Sequence, residues 1–211
     1  MGDGGWTARR FATHFTETAR TGEYAKRDSP FLYPDAGGQP ALVFAHDCQD
    51  VNQGKVLDLV TIFLERNDLF SDTDETIEAG MSEVFLNLDH LIEMIRKASP
   101  SPHVALLLPV PPSASQDPFG SNYGSGQTRW PYKRNILRLV EHMLIQYVDR
   151  PGVHIVPTNL GLDCVDNYPT ETAKANAVSD IPVTRQNNSV HPSQQGDLQI
   201  GDSLFDWIKG Q

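Results

Sequence analysis

Three short apolar runs, separated by stretches with a helical pattern, constrain the fold of this 211-residue chain more than any other feature. The runs cover residues 57–64, 103–110 and 153–157, and most of their residues are aliphatic. Runs of this length and composition are typical of strands that are buried on both faces of a sheet. Because strands that alternate with helices pair in parallel, the pattern predicts an α/β fold.

The segments between the runs supply the helices of this fold. Apolar residues recur at helical spacing over residues 76–97, which predicts a long amphipathic helix. Helices are also predicted for residues 6–19, for residues 129–147 and from Ser193 onward. Three segments show little periodicity and are predicted as loops: residues 28–40, 111–127 and about thirty residues after 157. Residues 41–45 fit either a strand or a helix. The predicted architecture is a three-layer, flavodoxin-like parallel sheet with helices on both faces.

Length and charge narrow the class of protein further. Residues 1–211 show no break in composition, so a single domain is expected. Aspartate and glutamate outnumber lysine and arginine by 27 to 17, which argues against nucleic acid and against an anionic membrane surface as partners. No run approaches the roughly 20 apolar residues that a membrane span requires. An acidic, soluble domain is therefore predicted.

Two positions are candidates for chemistry. His191 lies on a polar loop just before the closing helix, where a histidine can serve as a general base, although a loop histidine followed by proline is more often a turn or surface residue. Asn67 and Asp68 follow the first apolar run, and ligands bind beyond the carboxyl ends of strands in open parallel sheets. The same Asn-Asp pair also commonly forms caps and turns.

Taken together, these segments resemble the SGNH hydrolases, also called the GDSL-like lipase and acylhydrolase family, over essentially the whole chain. The family has Gly-x-Asn-Asp after a strand and Asp-x-x-His-Pro before the last helix, and residues 65–68 and 188–192 are similar to these blocks. Residues 5–7 resemble the block whose glycine supplies a backbone donor. In the helix that follows the family's histidine, four further residues match: Gly196, Gln199, Ile200 and Trp207.

The resemblance implies a serine esterase and gives each matching residue a role. His191 would be the general base, oriented by Asn188 or by a nearby backbone carbonyl. The backbone N–H of Gly5 and the side-chain amide of Asn67 would stabilise the oxyanion, with Asp68 in support. The implied substrates are carboxylic esters with acetyl or other short acyl groups, and carbohydrate esters are one candidate. No cofactor and no metal is implied.

The departures from the family pattern concern the nucleophile and the base. No Gly-Asp-Ser block occurs upstream of Gly5, where only four residues precede it, so the chain is expected to lack the first βαβ portion and its serine. Glu65 replaces a glycine. Asn188 replaces an aspartate, and an uncharged amide cannot stabilise the imidazolium that forms during catalysis.

The sequence Gly201-Asp202-Ser203-Leu204 repeats the family's name motif near the C-terminus. The surrounding apolar residues recur at helical spacing, which places Ser203 inside an amphipathic helix rather than at the end of a strand. The match is therefore interpreted as a coincidence.

The main alternative is a non-catalytic domain that binds a glycan or a protein through the loop at residues 111–127. Three aromatic residues near that loop would suit a sugar-binding rim, although packing is their commoner use: Tyr123, Trp130 and Tyr132. Cys48 and Cys164 match no metal or redox spacing and are expected to pack as small apolar residues. The cellular location stays open, because secretion or export to a periplasm would need an upstream signal peptide.

Overall fold

The computed structural model describes residues 5–15, 28–55, 57–64, 66–99, 102–122 and 126–211. Contacts between Cα atoms group the chain into two compact units. The first contains the residues up to Leu69 together with Glu75–Leu106 and Tyr147–His154. The second contains Phe70–Asp74, Leu107–Gln146 and Ile155–Gln211.

Helices and strands alternate along the chain as predicted. In order they are α1 Ala8–Thr13, β1 Leu32–Pro34, β2 Pro40–Leu42, α2 Phe44–Asn52, β3 Leu59–Ile62, α3 Ile77–Ala98, β4 His103–Leu107, α4 Asp117–Asn122, α5 Arg129–Tyr147, β5 Val153–Val156, a 3-10 turn at Thr158–Leu160, β6 Thr170–Asn176, β7 Ser179–Gln186 and α6 Gln194–Lys209. A three-stranded sheet has the order β3-β4-β5, and β1-β2 and β6-β7 form separate pairs. The predicted α/β class, with a parallel sheet flanked by helices, is confirmed.

Helix α3 forms much of the core of the first unit. All six of its apolar residues that mark the helical spacing are buried: Ile77, Met81, Val84, Leu88, Leu91 and Ile95. Arg96 and Lys97 lie in its last turn, where positive charge stabilises the helix dipole. The predicted helix over residues 76–97 is confirmed, and so are the strand that begins at residue 103, the helix over residues 129–147, the strand that begins at residue 153 and the closing helix.

Strand β3 is parallel to β4, with Leu59 beside His103 and Ile62 beside Leu106. Burial of β3 on both faces was predicted and is wrong, because Thr61 is exposed and only Ile62 among its four residues is buried. The reason is the position of β3 at the edge of the sheet, where β4 is its one neighbouring strand among the described residues. An apolar cavity of about 350 Å³ lies beside residues 60–64 and leaves their side chains partly uncovered.

The N-terminal helix is shorter than predicted. Helix α1 ends at Thr13, because His14 has an extended backbone and its carbonyl accepts a hydrogen bond from the Ser29 amide at 2.8 Å. Residues 16–19 of the predicted helix lie outside the described part of the chain. The predicted loop at 28–40 contains the β1-β2 hairpin, whose turn is closed by the Asp35 carboxylate.

Two further loop predictions are wrong in part. The aperiodic segment after residue 157 contains the β6-β7 hairpin, in which the Thr172 and Thr184 hydroxyls hydrogen-bond across the strands at 2.7 Å. Nearly every residue of the two strands is exposed or half-buried. Helix α4 lies within residues 111–127, and residues 41–45 divide between the end of β2 and the start of α2.

A cluster of apolar side chains forms the core of the second unit and contains Phe119, Tyr132, Ile136 and Val190, with Phe70 against it. Tyr132 is 2% exposed, so its ring is a packing residue and not part of a sugar-binding rim. Trp130 is 66% exposed, with the Arg129 guanidinium 4.5 Å from its ring centroid. Tyr123 lies outside the described residues.

Both cysteines are free thiols, and burial raises the pKa of each, as expected for packing residues. Among the helices of the described chain, none is long and apolar enough to cross a membrane.

We expect the contribution of His154 to the stability of the fold to be lost as the pH drops below 6.5. Burial, and then the charge of His103, lower the pKa of His154 from 6.5. The unfolded chain therefore binds this proton at a higher pH than the folded chain does, so stability is lost as the pH falls from 6.5 toward the folded-state pKa. Urea midpoints at pH 7.5 and 5.5 measure the effect. His154→Gln should reduce the pH dependence, and exposed His90→Gln should not; equal pH dependence in all three proteins would contradict the prediction.

Candidate functional site

The segment that follows β3 is joined to residues 6–9 by several hydrogen bonds. One carboxylate oxygen of Asp68 accepts from the Ala8 amide at 2.9 Å, and the other accepts from the Arg9 amide at 3.3 Å. The Asn67 side-chain amide donates to the Trp6 carbonyl at 3.0 Å. These residues are about sixty positions apart in the sequence, so the fold brings Asn67 next to the Trp6–Thr7 peptide, one residue beyond Gly5.

Local interactions fix the backbone on the N-terminal side of this junction. Gly5 has φ +75°, a conformation that favours glycine. Thr7 caps α1, because its hydroxyl accepts from the Arg10 amide at 2.9 Å. The Trp6 side chain is 1% exposed, and its ring centroid lies 4.7 Å from that of Phe11. The buried indole anchors the chain immediately after Gly5.

Asp68 is a structural residue in this junction. Burial raises its pKa, and the hydrogen bonds from Ala8 and Arg9 act in the opposite direction. Its two oxygens satisfy amides in the first turn of α1 that have no partner within the helix. The carboxylate therefore holds α1 at the end of β3. Its supporting role in catalysis stays a prediction.

We expect Asp68→Ala to destabilise the protein by about 1–3 kcal/mol, because it leaves partly buried amides without their acceptor. Urea denaturation measures the change. Asp68→Asn keeps an acceptor oxygen and should cost less. The folded-state pKa is raised above 3.8, so the wild type loses stability as the pH rises from 3.8 through that pKa, and the Asn variant should not. An alanine variant as stable as the wild type would contradict this role.

His191 lies on a loop that is held by its backbone. The Asn188 side-chain oxygen accepts from the amides of Val190 at 3.1 Å and of His191 at 2.9 Å. The Ser113 amide donates to the Ser189 carbonyl at 2.9 Å, and the Val190 side chain is buried in the apolar cluster of the second unit. His191 itself is exposed. The loop therefore presents an exposed imidazole on a fixed backbone.

The contacts of Asn188 differ from the one expected for it. Its side-chain oxygen already accepts two backbone hydrogen bonds, which account for both of its lone pairs. Asn188 therefore positions the loop, and its predicted action on the imidazole ring stays a prediction.

Helix α6 starts immediately after the His191 loop. Ser193 is its N-cap, and the Ser193 amide donates to the Asn167 carbonyl at 2.9 Å. The Gln199 side chain accepts from the Asp163 amide at 2.8 Å. The Ser203 hydroxyl donates to the Gln199 carbonyl at 2.9 Å within α6, so the predicted helical position of Ser203 is confirmed.

One side chain with a central structural position was missed in the sequence. The Gln186 amide donates to the carbonyls of Cys164 and Val165 at 2.9 and 2.8 Å, and its oxygen accepts from the Ser115 amide at 2.8 Å. Two loops of the second unit meet here at the end of strand β7. A lone glutamine at the end of a strand carries no sequence signal for such a role.

The predicted site residues fall in both units. Gly5, Asn67 and Asp68 belong to the first unit, where Asn67 contacts Trp6, the residue after Gly5. Asn188 and His191 belong to the second unit and share one loop. Among the described residues, no group of three or more His, Cys, Asp or Glu side chains is arranged to hold a metal ion.

Comparison with known proteins finds similar structures but no similar curated sequences. No family model matches the sequence, and no curated protein matches it. A structure from Streptococcus pneumonia, provisionally described as a platelet activating factor, matches with a TM-score of 0.52 and 16% identity over 74% of this chain. A possible lipase from Chitinophaga pinensis DSM 2588 has a TM-score of 0.41 and 12% identity, with 80% of this chain and 79% of that one covered.

The likeness to the Streptococcus structure concerns the fold. The present chain spans 61% of the length of that protein. The α/β fold of this chain, with its parallel sheet flanked by helices, is therefore one that it shares with the Streptococcus protein.

Proposed function

We propose that this chain is the larger part of an SGNH-type esterase that hydrolyses acetyl or other short acyl esters. The nucleophilic serine would lie on a segment outside these 211 residues. The observation that carries the proposal is the junction in which Asn67 hydrogen-bonds the Trp6 carbonyl, directly after Gly5. This contact supports the assignment of the Asn67 amide and the Gly5 N–H as the two donors that an oxyanion needs.

In this mechanism His191 acts as the general base. The serine oxygen attacks the ester carbonyl carbon while the imidazole takes its proton, and the carbonyl π electrons move onto oxygen. The intermediate then collapses, the bond to the alkoxide breaks, and the leaving alcohol takes the proton from the imidazolium. Water attacks the acyl-serine through the same steps, which releases the acid and restores the serine.

Asn67 supplies the second donor. An amide nitrogen carries two hydrogens, and the contact with the Trp6 carbonyl uses one of them. The other is assigned to the oxyanion, together with the N–H of Gly5. The contact with Trp6 fixes the orientation of the amide before substrate binds, which is the condition for efficient charge stabilisation.

The proposed substrates are acetyl or other short acyl esters, as the resemblance to the SGNH hydrolases suggests, and acetyl esters of carbohydrates are one candidate. The acidic balance of the chain, with 27 Asp and Glu against 17 Lys and Arg, disfavours strongly anionic substrates.

The test is a fusion that joins the N-terminal strand, Gly-Asp-Ser turn, helix and second strand of a family member to residue 5. We expect the fusion to hydrolyse p-nitrophenyl acetate and to lose this activity when its added serine is changed to alanine. His191→Ala should abolish activity, whereas His90→Ala, which removes an exposed histidine on α3, should retain it.

Two results would overturn the proposal. One is an active fusion that is indifferent to His191→Ala, and the other is a folded fusion without hydrolysis. In the second case, binding of acetylated oligosaccharides by the same inactive protein would favour a non-catalytic glycan-binding domain. Circular dichroism and thermal melting of each variant establish that the fusion is folded.

A further inference from the structure

Two histidines meet on neighbouring strands of the sheet. His103 is the first residue of β4, and His154 is the second residue of β5. Nδ1 of His103 lies 2.8 Å from Nε2 of His154, and the ring centroids are 5.0 Å apart. The backbone under the pair is fixed, because the Val104 amide donates to the Gly152 carbonyl at 2.9 Å and the His103 amide donates to the Asp58 carbonyl at 2.8 Å.

The pair is accessible from solvent. His103 is exposed and His154 is half-buried. Both lie at the amino ends of their strands, whereas Asn67 follows the carboxyl end of β3 in the same unit. Because β3 and β4 are parallel, the two histidines and Asn67 belong to opposite ends of the sheet. Whatever the histidines bind is therefore independent of the proposed esterase chemistry.

We propose that His103 and His154 chelate a divalent late transition metal, with copper(II) preferred over nickel and zinc. Neutral imidazole nitrogens are the side-chain ligands that these metals favour. The two neighbouring strands hold the backbone of both residues in place, so a metal that binds one imidazole has the other within reach. Water would occupy the remaining coordination positions, in agreement with the lack of a third His, Cys, Asp or Glu ligand among the described residues.

The order of metal affinities decides between metals. In the structure the two nitrogens share a hydrogen bond, and the 2.8 Å between them is the length of that bond. The rings turn before they bind a metal, so the choice of metal follows from the affinity for nitrogen ligands, which is highest for copper(II) among the divalent metals from manganese to zinc. Copper(II) also accepts two neighbouring nitrogen ligands in its tetragonal geometry, with water in the other positions.

Binding requires only side-chain movement. The ring that donates the hydrogen bond moves its hydrogen to its other nitrogen, so that both facing nitrogens carry lone pairs. The rings then turn until the lone pairs converge, and the exposed side chain of His103 has room to turn.

The test is a titration of the apo protein with copper(II) chloride at pH 7.5. Calorimetry and the visible d–d absorption of the copper measure binding during the titration. We expect one site per chain, with affinity in the order copper, nickel, zinc. His103→Gln and His154→Gln should each lower the copper affinity by about 10²-fold or more, because the chelate becomes a single contact. Electron paramagnetic resonance should show two coordinated nitrogens in the wild type and a loss of one in either variant.

The control removes two other histidines at once, His90→Gln with His142→Gln, and should leave the high-affinity site intact. Thermal melting shows that each variant is folded and should show a rise in melting temperature with copper only in proteins that keep the pair. Equal copper affinity in the wild type and the His103 variant would overturn the proposal, and so would a preference for zinc.

Discussion

Replacing Asn67 by alanine in the complemented fusion is expected to lower kcat for p-nitrophenyl acetate by about 10²–10³-fold, the usual cost of one oxyanion donor. The physical reason is that the amide is fixed before the reaction by its bond to the Trp6 carbonyl, so its remaining hydrogen meets charge only as that charge develops. KM should change little. Steady-state kinetics with the purified variant measure both constants.

The control separates loss of the donor from loss of structure. Asn52 also carries a side-chain amide that donates to a backbone carbonyl, that of Lys55 at 2.8 Å, and it lies in the same unit. Asn52→Ala should therefore leave kcat unchanged. Asn67→Asp keeps the shape of the side chain but replaces the donor with a negative charge, and should be at least as inactive as the alanine variant. Full activity of Asn67→Asp would rule out an oxyanion role for this position.

The elements predicted best from the sequence are those that bury either one face or nearly all of their side chains. Helix α3 packs one face into the core, so its apolar residues recur at the period of the helix and predict its bounds almost to the residue. Strand β4 is buried at four of its five residues and is a continuous apolar run. In both cases the burial of the element determines the pattern of apolar residues in its own sequence.

The β6-β7 hairpin and the exposure of β3 were not predicted, because both depend on neighbouring elements rather than on the sequence of the strands themselves. Both faces of the β6-β7 hairpin lie in contact with solvent, so neither strand alternates between apolar and polar residues. Strand β3 has the composition of an internal strand and yet lies at the edge of the sheet. Composition shows what a strand can bury, whereas its neighbours decide what it does bury.

The candidate site also has a part that the sequence predicted and a part that it did not. The dipeptide Asn67-Asp68 was located from its position after an apolar run, and the structure joins it to Trp6 and Ala8, shortly after Gly5. The contacts of Asn188 were not predicted, since a side chain that can bond an imidazole can equally bond nearby backbone amides. Sequence position identified the residues, but the choice among their hydrogen-bond partners required the folded backbone.

We expect Gly196→Ala to destabilise the protein by about 1–3 kcal/mol and to lower the activity of the fusion. A Cβ at this buried position would lie 2.6 Å from the Pro192 Cβ, 2.7 Å from the Asn167 carbonyl oxygen and 3.0 Å from a Leu162 methyl carbon. Two of these atoms belong to a proline ring and to the backbone, so they cannot move away as a flexible side chain could. The strain falls on Pro192, next to His191, and should shift the imidazole.

The same helix offers a matched control in Gly201. A Cβ there meets nothing within 4 Å, and the residue is exposed. Gly201→Ala should therefore stabilise the protein by up to about 1 kcal/mol, because alanine favours the helix over glycine, and should leave activity unchanged. Urea denaturation of the two variants compares the same substitution, in one helix, with opposite expected signs. Equal stability of the two variants would show that the contact between α6 and Pro192 does not hold the His191 loop in place.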